Sequence, residues 1–564
     1  MPRLYLLAAC VSLSMAAQRP IQSELGIEVA MRDGVRLSTN LFLPGAHGPF
    51  PAILVRTPYN KGTALNDNYR AFVDRGYALV IQDVRGRYAS EGSFEPLTQE
   101  PADGDDTIHW IARQSWSNGK VGMIGGSYLG IVQWKAALLE NPHLKAIFPV
   151  VSGWDDYRDR FYSAGGAMKL GNRLEWMAEN MRAPGFHADF ASYIFHLPLR
   201  SADRAALGWS TPLFQEIAAH PDYDTFWRAT STREHIAQVR IPVFSVGGWY
   251  DNFVESDLAA YAELRRRGVV NRILIGPWPH NMSLKFAGAD FGPDSSAPIR
   301  AMQMEWFDQW LMGKDAPLLS RPPVKVFVMG ANRWRESREW PPEGATPRAF
   351  YLESRGKANS LSGDGALSDK RSAGAPDQFV FDPYNPVPTR GGAVCCNPKI
   401  FPWGPMDQRP VEQRRDVLVY TSRPLKRDVE AIGPVQVVLY VATSAPDTDF
   451  TAKLVDVFPD GSARNLTDGI LRLRYRNSLE SAEPATPGSV YRIAIDAGVT
   501  GNVFLKGHRI RVEVSSSNFP RFDRNPNDGR TVARAVRLNK ASQTVYHDLR
   551  RPSALILTVL PGKG

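Results

Sequence analysis

The stretch Gly125-Gly126-Ser127-Tyr128-Leu129-Gly130 constrains this chain more than any other. It follows an apolar run, Val121 to Ile124, and precedes a helical pattern, Tyr128 to Leu139. Strand, sharp turn, helix is the setting in which a serine is held in strained backbone with its Oγ exposed at a sheet edge. Small flanking residues are needed there, because a side chain would clash across the turn. The pattern departs from G-x-S-x-G in one respect: the second glycine falls one position late, at Gly130. Glycine-flanked serines also occur in ordinary turns, so the rest of the chain must decide between a nucleophile and a turn residue.

The surroundings read as a parallel α/β sheet. Ile27 to Met31 and Val35 to Leu43 flank Asp33-Gly34, a favoured tight-turn pair, and predict a hairpin. Buried-strand runs follow at Ala52 to Val55, Ala78 to Ile81, Val121 to Ile124 and Ala146 to Val151, with a helical pattern around Thr107 to Ala112. From Trp154 to Val239 the strand runs vanish, and Ala167 to Met181 and Pro212 to Ala219 read as helices. Strand signals return at Val243 to Val246 and Ile273 to Ile275, so a helical insertion interrupts the sheet domain. Arg300 to Met312 is amphipathic and closes that domain. Beyond residue 320, short strand-like runs beginning with Val324 to Met329 and ending with Ala554 to Val559 predict a β-sandwich, a jelly roll. Residues 356–377, rich in Gly, Ser and Asp, read as a long surface loop. The expected division is a leader at 1–17, a sheet domain at 24–153 and 241–319, a helical cap at 154–240, and the sandwich at 320–564. A chain of 564 residues is long enough for several cores.

Lys and Arg number 67 against 58 Asp and Glu, giving a net charge of +9. The excess is spread along the chain with no Lys/Arg run of five or more, so it reads as surface charge and not as a nucleic-acid footprint. Arg3 followed by the apolar stretch Leu4 to Ala17 predicts an export signal, too short to span a bilayer. A lipoprotein box around Cys10 is the lesser alternative, because the apolar run continues past it. The expected location is secreted or periplasmic, and no other segment is a candidate span. Cys395 and Cys396 are then the remaining cysteines. Neighbouring Cα atoms about 3.8 Å apart fall below the usual disulfide range. Two free thiols are therefore expected ahead of a strained vicinal disulfide. No C-x-x-C or H-E-x-x-H metal motif occurs.

If Ser127 is a nucleophile it needs a histidine base and an orienting acid, in the chain order Ser, Asp/Glu, His for this fold class. His47 and His109 precede it, and His143 follows too closely to leave room for the acid's strand. His187, His196, His220 and His235 fall in the insertion, and His508 and His547 in the β-rich tail. His280 alone directly follows a core strand, in Leu274-Ile275-Gly276-Pro277-Trp278-Pro279-His280. Asp251 ends the preceding strand in the same way, whereas Glu255 and Asp257 fall on the next helix. Asp83, beside Arg85 and Arg87, reads as structural. An oxyanion needs donors: the amide of Tyr128 is one, and the loop Arg56-Thr57-Pro58-Tyr59-Asn60 offers the Tyr59 hydroxyl as another, or else an ordinary half-buried tyrosine.

These residues, with Thr57-Pro58-Tyr59, Gln82-Asp83-Val84-Arg85-Gly86, Ser90-Glu91-Gly92 and Gly247-Gly248-Trp249-Tyr250-Asp251, resemble the cocaine-esterase-type α/β-hydrolases. That group includes Xaa-Pro dipeptidyl-peptidases, glutaryl-cephalosporin acylases and α-amino acid ester hydrolases. The late glycine is normal there. The resemblance spans nearly the whole mature chain. It implies Ser127, Asp251 and His280 as a triad, with Tyr59 and the Tyr128 amide as oxyanion hole. It also implies hydrolysis of a small-molecule ester or amide through an acyl-enzyme without metal or organic cofactor, and a jelly roll covering one side of the site. Asn252-Phe253-Val254 stand where α-amino acid ester hydrolases carry acids for a substrate ammonium. That departure disfavours a cationic amine substrate and a dipeptidyl-peptidase, and makes Phe253 a candidate lining of the acyl pocket. Phe161 and Trp176 are candidates for the same pocket or for cap core. An esterase is the first expectation, an acylase or Xaa-Pro dipeptidyl-peptidase the second. A carbohydrate-binding or scaffold protein would also suit a jelly roll, but the intact Ser, Asp, His order speaks against it.

Overall fold

The computed structural model describes residues 20–562. The leader reading and Cys10 lie outside them. Ten strands form the first sheet: β1 (Gln22–Ala30), β2 (Arg36–Leu43), β3 (Phe50–Thr57), β4 (Ala78–Asp83), β5 (Ser117–Gly126), β6 (Leu144–Val150), β7 (Val243–Tyr250), β8 (Asn271–Pro279), β9 (Val324–Val328) and β10 (Arg333–Ser337). Their spatial order is β1-β2-β4-β3-β5-β6-β7-β8-β9-β10. Pairing is parallel from β4 through β3 to β9, and antiparallel at both edges. β3, β4, β7 and β8 are buried almost end to end, as parallel strands covered by helices on both faces must be.

One correction concerns the sheet that a single strand joins. Val324 to Met329, expected to open the carboxy-terminal sandwich, runs parallel to β8, and the antiparallel partner β10 follows it in the same sheet. Val324, Val326, Phe327 and Val328 are fully buried, so the strand is apolar on both faces and suits the interior of a parallel sheet.

The chain passes from β3 to β4 on one side, then crosses to β5 on the other side of β3. At such a switch point the loops leaving the strands diverge and open a crevice at their carboxyl ends. Tyr59 lies just past the end of β3, Ser127 just past β5, Asp251 just past β7 and His280 just past β8. Over this edge sits a set of short helices between β6 and β7, including Leu170–Asn180, Pro212–Ala219 and Thr225–Thr230, packed around Tyr157, Phe161, Leu174, Phe214 and Trp227.

An eleven-stranded antiparallel-rich sheet system follows, built on the long pair Val429–Thr443 and Tyr491–Phe504. Within 356–377, read as a loop, Ala366–Ser368 is a short strand pairing Thr346–Glu353 on one side and Leu418–Ser422 on the other. The second unit shares a core with the first: Trp249 and Phe327 belong to the same cluster as Val437 and Ile495. Trp249 donates its indole N–H to the Phe327 carbonyl at 2.6 Å, and Met329 and Val503 extend the join through backbone bonds to Gly501 and Met329.

The displaced glycine of the elbow has a packing reason. A Cβ on Gly130 would lie 2.6 Å from the Cβ of Ser152, where the helix Tyr128–Ala137 crosses the end of β6. Gly130→Ala is expected to destabilise the chain by about 1–3 kcal/mol through overpacking, read as a lowered denaturant midpoint of the first unfolding transition.

Candidate active site

Ser127 has φ 57° and ψ −124°, a conformation that non-glycine residues rarely adopt. Its amide still bonds to the Val150 carbonyl at 2.9 Å, while its own carbonyl accepts from Gly130 and Ile131. The residue thus ends one ladder and starts a helix in a single step. Gly125 before it has φ 140°, and a Cβ there would run into Leu129. Gln133 ties the turn down: its Nε2 donates to the Gly125 carbonyl at 3.2 Å and its Oε1 accepts from the Phe148 amide at 3.0 Å.

The Tyr128 side chain anchors the helix from inside. Its hydroxyl donates to Glu100 Oε1 at 2.6 Å, and Glu100 Oε2 pairs with Arg56 Nη1 at 2.6 Å, both charged groups being fully buried. As the first residue of its helix, Tyr128 has an amide with no intrahelical acceptor.

Asp251, His280 and Ser127 form one line. His280 Nδ1 lies 2.6 Å from Asp251 Oδ1, and His280 Nε2 lies 2.9 Å from Ser127 Oγ. A carboxylate only accepts, so Nδ1 carries the proton and Nε2 is left as the acceptor for the serine hydroxyl. Asp251 is fully buried, and its second oxygen accepts from the Phe253 amide at 3.1 Å. Asp257, on the helix Val254–Arg266, is also buried nearby; burial first, then the Asp251 charge, holds its carboxyl well above the usual range. Its Oδ1 accepts from the Gly153 amide at 3.0 Å. The Phe253 ring packs against the His280 ring with centroids 5.7 Å apart.

Tyr59 reaches the same place from β3. Its hydroxyl accepts the Trp176 indole N–H at 3.0 Å. An indole only donates, so the phenolic proton stays free to be given elsewhere. Burial raises the Tyr59 pKa, against the hydrogen bond from Trp176. Asp83 stands apart, paired with Lys61 at 3.2 Å and not with Arg85 or Arg87. Arg85 bridges Asp33 and Asp103, and Arg87 donates to the carbonyls of Pro58 and Asn180.

Ser127, Tyr59, Phe161, Trp176 and Phe253 line one cavity. Its wall also contains Arg160, Arg173, Cys395 and Cys396, which strand-end reasoning did not reach. Arg173 stands one helical turn before Trp176 on Leu170–Asn180, and that spacing is the signal that could have found it. Cys395 and Cys396 are not free thiols: a disulfide joins them. A trans peptide holds neighbouring Cα atoms about 3.8 Å apart, whereas this peptide is cis, with Cα atoms 3.0 Å apart. The two sulfurs and a ring nitrogen of His280 lie within 4.8 Å of one another, but sulfurs bonded to each other offer no thiolate to a metal. Among the described residues no helix is long and apolar enough to cross a membrane.

Residues 33–282 match the X-Pro dipeptidyl-peptidase (S15 family) model, and 319–556 match the X-Pro dipeptidyl-peptidase C-terminal non-catalytic domain. The chain is 40% identical to a cocaine esterase from Rhodococcus sp. (strain MB1 Bresler), over 95% of this chain and 98% of that one. It is 26% identical to a putative serine esterase from Mycobacterium bovis, over 88% of this chain and 90% of that one. Among solved structures, an α-amino acid ester hydrolase superposes with a TM-score of 0.83 at 27% identity, covering 98% of this chain and all of that one. An aminopeptidase from a marine sediment archaeon, Thaumarchaeota archaeon, gives the same TM-score and identity over 100% of this chain and 98% of that one.

Removing the charge of Glu100 should leave the buried Arg56 guanidinium with only the more distant Asp103, at 3.7 Å. Glu100→Ala is expected to cost about 3–5 kcal/mol, seen as a lowered denaturant midpoint, together with reduced activity as the Tyr128 anchor is lost. The chain belongs to the S15 X-Pro dipeptidyl-peptidase family of α/β serine hydrolases, in the branch that aligns end to end with cocaine esterase.

Proposed function

We propose that the chain is a carboxylic ester hydrolase in which Ser127 is the nucleophile, His280 the general base and then acid, and Asp251 the group that orients the imidazole. The observation that carries this reading is the hydrogen-bonded line Asp251–His280–Ser127, at 2.6 and 2.9 Å, beside a strained serine. His280 Nε2 takes the Oγ proton as Oγ attacks the ester carbonyl, and Asp251 stabilises the imidazolium that forms. The oxyanion is met by the Tyr59 hydroxyl and the Tyr128 amide, two donors left uncommitted by the surrounding structure. Collapse breaks the ester bond, and His280 returns its proton to the departing alkoxide. Water repeats the sequence on the acyl-enzyme. No metal or organic cofactor enters this scheme.

An esterase fits better than an Xaa-Pro dipeptidyl-peptidase or an acylase of amine-bearing substrates. A dipeptidyl-peptidase must bind a free α-ammonium, yet the described residues lining the cavity include two arginines and no Asp or Glu. The leader-like residues 4–17 support a secreted or periplasmic location, and the Cys395–Cys396 disulfide suits an oxidising compartment. The carboxy-terminal sheets, read as a jelly roll, would cover one side of the site through Cys395 and Cys396.

A fluorophosphonate probe tests the nucleophile. Wild type should label at one site, and Ser127→Ala should lose both labelling and ester hydrolysis, by at least about 10⁴-fold in kcat; labelling that survives the substitution would sink the reading. Tyr59→Phe should lower kcat by about 10²–10³-fold while KM for a p-nitrophenyl ester changes little, since the donor acts on charge that exists only in the transition state.

A further inference from the structure

Two sulfurs stand beside the histidine of the line, yet the proposed reaction makes no use of them. The Sγ atoms of Cys395 and Cys396 and one ring nitrogen of His280 lie within 4.8 Å of one another, and both cysteines line the same cavity as Ser127. The pair has its own supports. Buried Asn172, on the helix Leu170–Asn180, grips the backbone of Cys395 with both ends of its amide: Nδ2 donates to the carbonyl at 2.9 Å and Oδ1 accepts from the N–H at 3.3 Å. Val394 packs with Phe401 and Trp403, and the Phe401 ring occupies the space that a side chain at Gly171 would need. Asn397 Nδ2 donates to Glu179 Oε1 at 3.3 Å on the far end of the same helix.

Opening the disulfide changes what this corner can bind. Reduction takes two electrons, and a trialkylphosphine supplies them. Phosphorus attacks one sulfur, the S–S bond breaks, and the other sulfur leaves as thiolate. Water then delivers its oxygen to phosphorus and its two protons to the two sulfurs, giving a phosphine oxide and two thiols. Arg160 and Arg173 line the same cavity, and cations in the wall favour the thiolate form. His280 is already prepared as a third ligand. Its Nδ1–H is held by Asp251 at 2.6 Å, which leaves the lone pair on Nε2. A carboxylate on the far N–H is the arrangement that fixes a histidine as a zinc ligand and raises its basicity. Two thiolates and an imidazole suit Zn²⁺, whereas Mg²⁺ and Ca²⁺ require oxygen. Tetrahedral zinc, with Zn–S about 2.3 Å and Zn–N about 2.0–2.1 Å, spaces its ligand atoms roughly 3.5–4 Å apart. Once the sulfurs have parted, the imidazole and the sulfurs need approach by only roughly 1 Å to meet that geometry.

On the reading that His280 is the general base, we infer that reduction of Cys395–Cys396 creates a Zn²⁺ site made of the two thiolates and His280 Nε2, and that zinc held there shuts off hydrolysis. Binding releases the two thiol protons to solvent. It also occupies the lone pair that would take the Ser127 proton. The disulfide is then the device that keeps the base free, and activity is tied to the redox state of the cavity wall.

The test compares the full chain with itself in two redox states, so its main reading needs no variant. One portion is reduced with a trialkylphosphine and freed of it by anaerobic gel filtration, and both portions are dialysed against micromolar Zn²⁺. The reduced form should retain one more zinc per chain than the oxidised form, measured by atomic emission. Its hydrolysis of a p-nitrophenyl ester and its fluorophosphonate labelling should fall by about 10²-fold or more, the contribution of a general base, and return when EDTA removes the metal. Cys395→Ala with Cys396→Ala, or the corresponding serine pair if the alanines do not fold, should retain no extra zinc after reduction, and its own rate should not respond to zinc. His280→Gln should weaken zinc retention by at least about 10-fold. Equal zinc in the two redox states overturns the site, as does extra zinc that survives in the double variant or is held as tightly by His280→Gln. Zinc bound with labelling unchanged, or a reduced chain already inactive before zinc is added, overturns the shut-off. An oxidised, zinc-free chain that neither hydrolyses esters nor takes the probe overturns the esterase reading and the shut-off with it, while the zinc count still decides on its own whether the site exists.

Discussion

Arg56 and Glu100 make a fully buried ion pair beneath the crevice, and the geometry of the elbow depends on it. A serine at φ 57° costs about 1–3 kcal/mol, so the neighbouring structure must leave it no relaxed alternative. Three supports do so. Glu100 holds the Tyr128 hydroxyl, which fixes the first turn of the helix from below. Gln133 spans from the Gly125 carbonyl to the Phe148 amide and so ties the turn to β6. Gly130 lets the helix approach Ser152 more closely than any side chain would permit. The ion pair gives the first of these its rigidity, because Glu100 cannot move without leaving Arg56 only the more distant carboxylate of Asp103, at 3.7 Å.

The sheet was readable because parallel strands buried on both faces become uninterrupted apolar runs, and the helices between them keep their own period. The strand ends were readable for the same reason: each apolar run stops at a residue that can be named. Ser127, Asp251 and His280 meet because each follows the carboxyl end of a strand in one parallel sheet, and Tyr59 joins them because β3 and β5 are neighbours across the switch point. Val324 to Met329 was misassigned because a both-faces-buried strand looks the same whichever sheet accepts it. Pairing partners, unlike strands, leave no local mark.

The cavity wall was less legible, again for a physical reason. Arg173 and Cys395 are buried, yet their environment is made by residues distant in sequence; the local sign for Arg173 is its one-turn spacing from Trp176, and Cys395 has no such sign. A charged residue on a helix is normally read as its solvent face. Leu170–Asn180 inverts that expectation: Arg173 and Glu175 are buried while Glu179 is exposed, because the helix is covered by the segment around Cys395 as well as by its own cap. Both Glu175 carboxylate oxygens lack hydrogen-bond partners, so the helix carries two unmet polar side chains of different character. The acid can meet the cost of burial by taking up a proton; an arginine cannot, because its pKa stays far above neutrality.

That asymmetry separates chemistry from selection in this molecule. The proposed reacting groups come from loops at the strand ends of one sheet, whose register sets their spacing. The wall facing them comes from two other parts of the chain, Phe161, Arg173 and Trp176 from the cap and Cys395 and Cys396 from the carboxy-terminal unit. Substitution in that wall changes what is held without disturbing the line from Asp251 to Ser127. Trp176 couples the two parts, since its indole lines the pocket and also holds the Tyr59 hydroxyl. On the proposed mechanism, a change of acyl group that displaces Trp176 alters the donor set around the oxyanion. Selection by this pocket would then be expressed in kcat as well as in KM, because the same contact that senses the acyl chain aims a proton at the charge that develops on it.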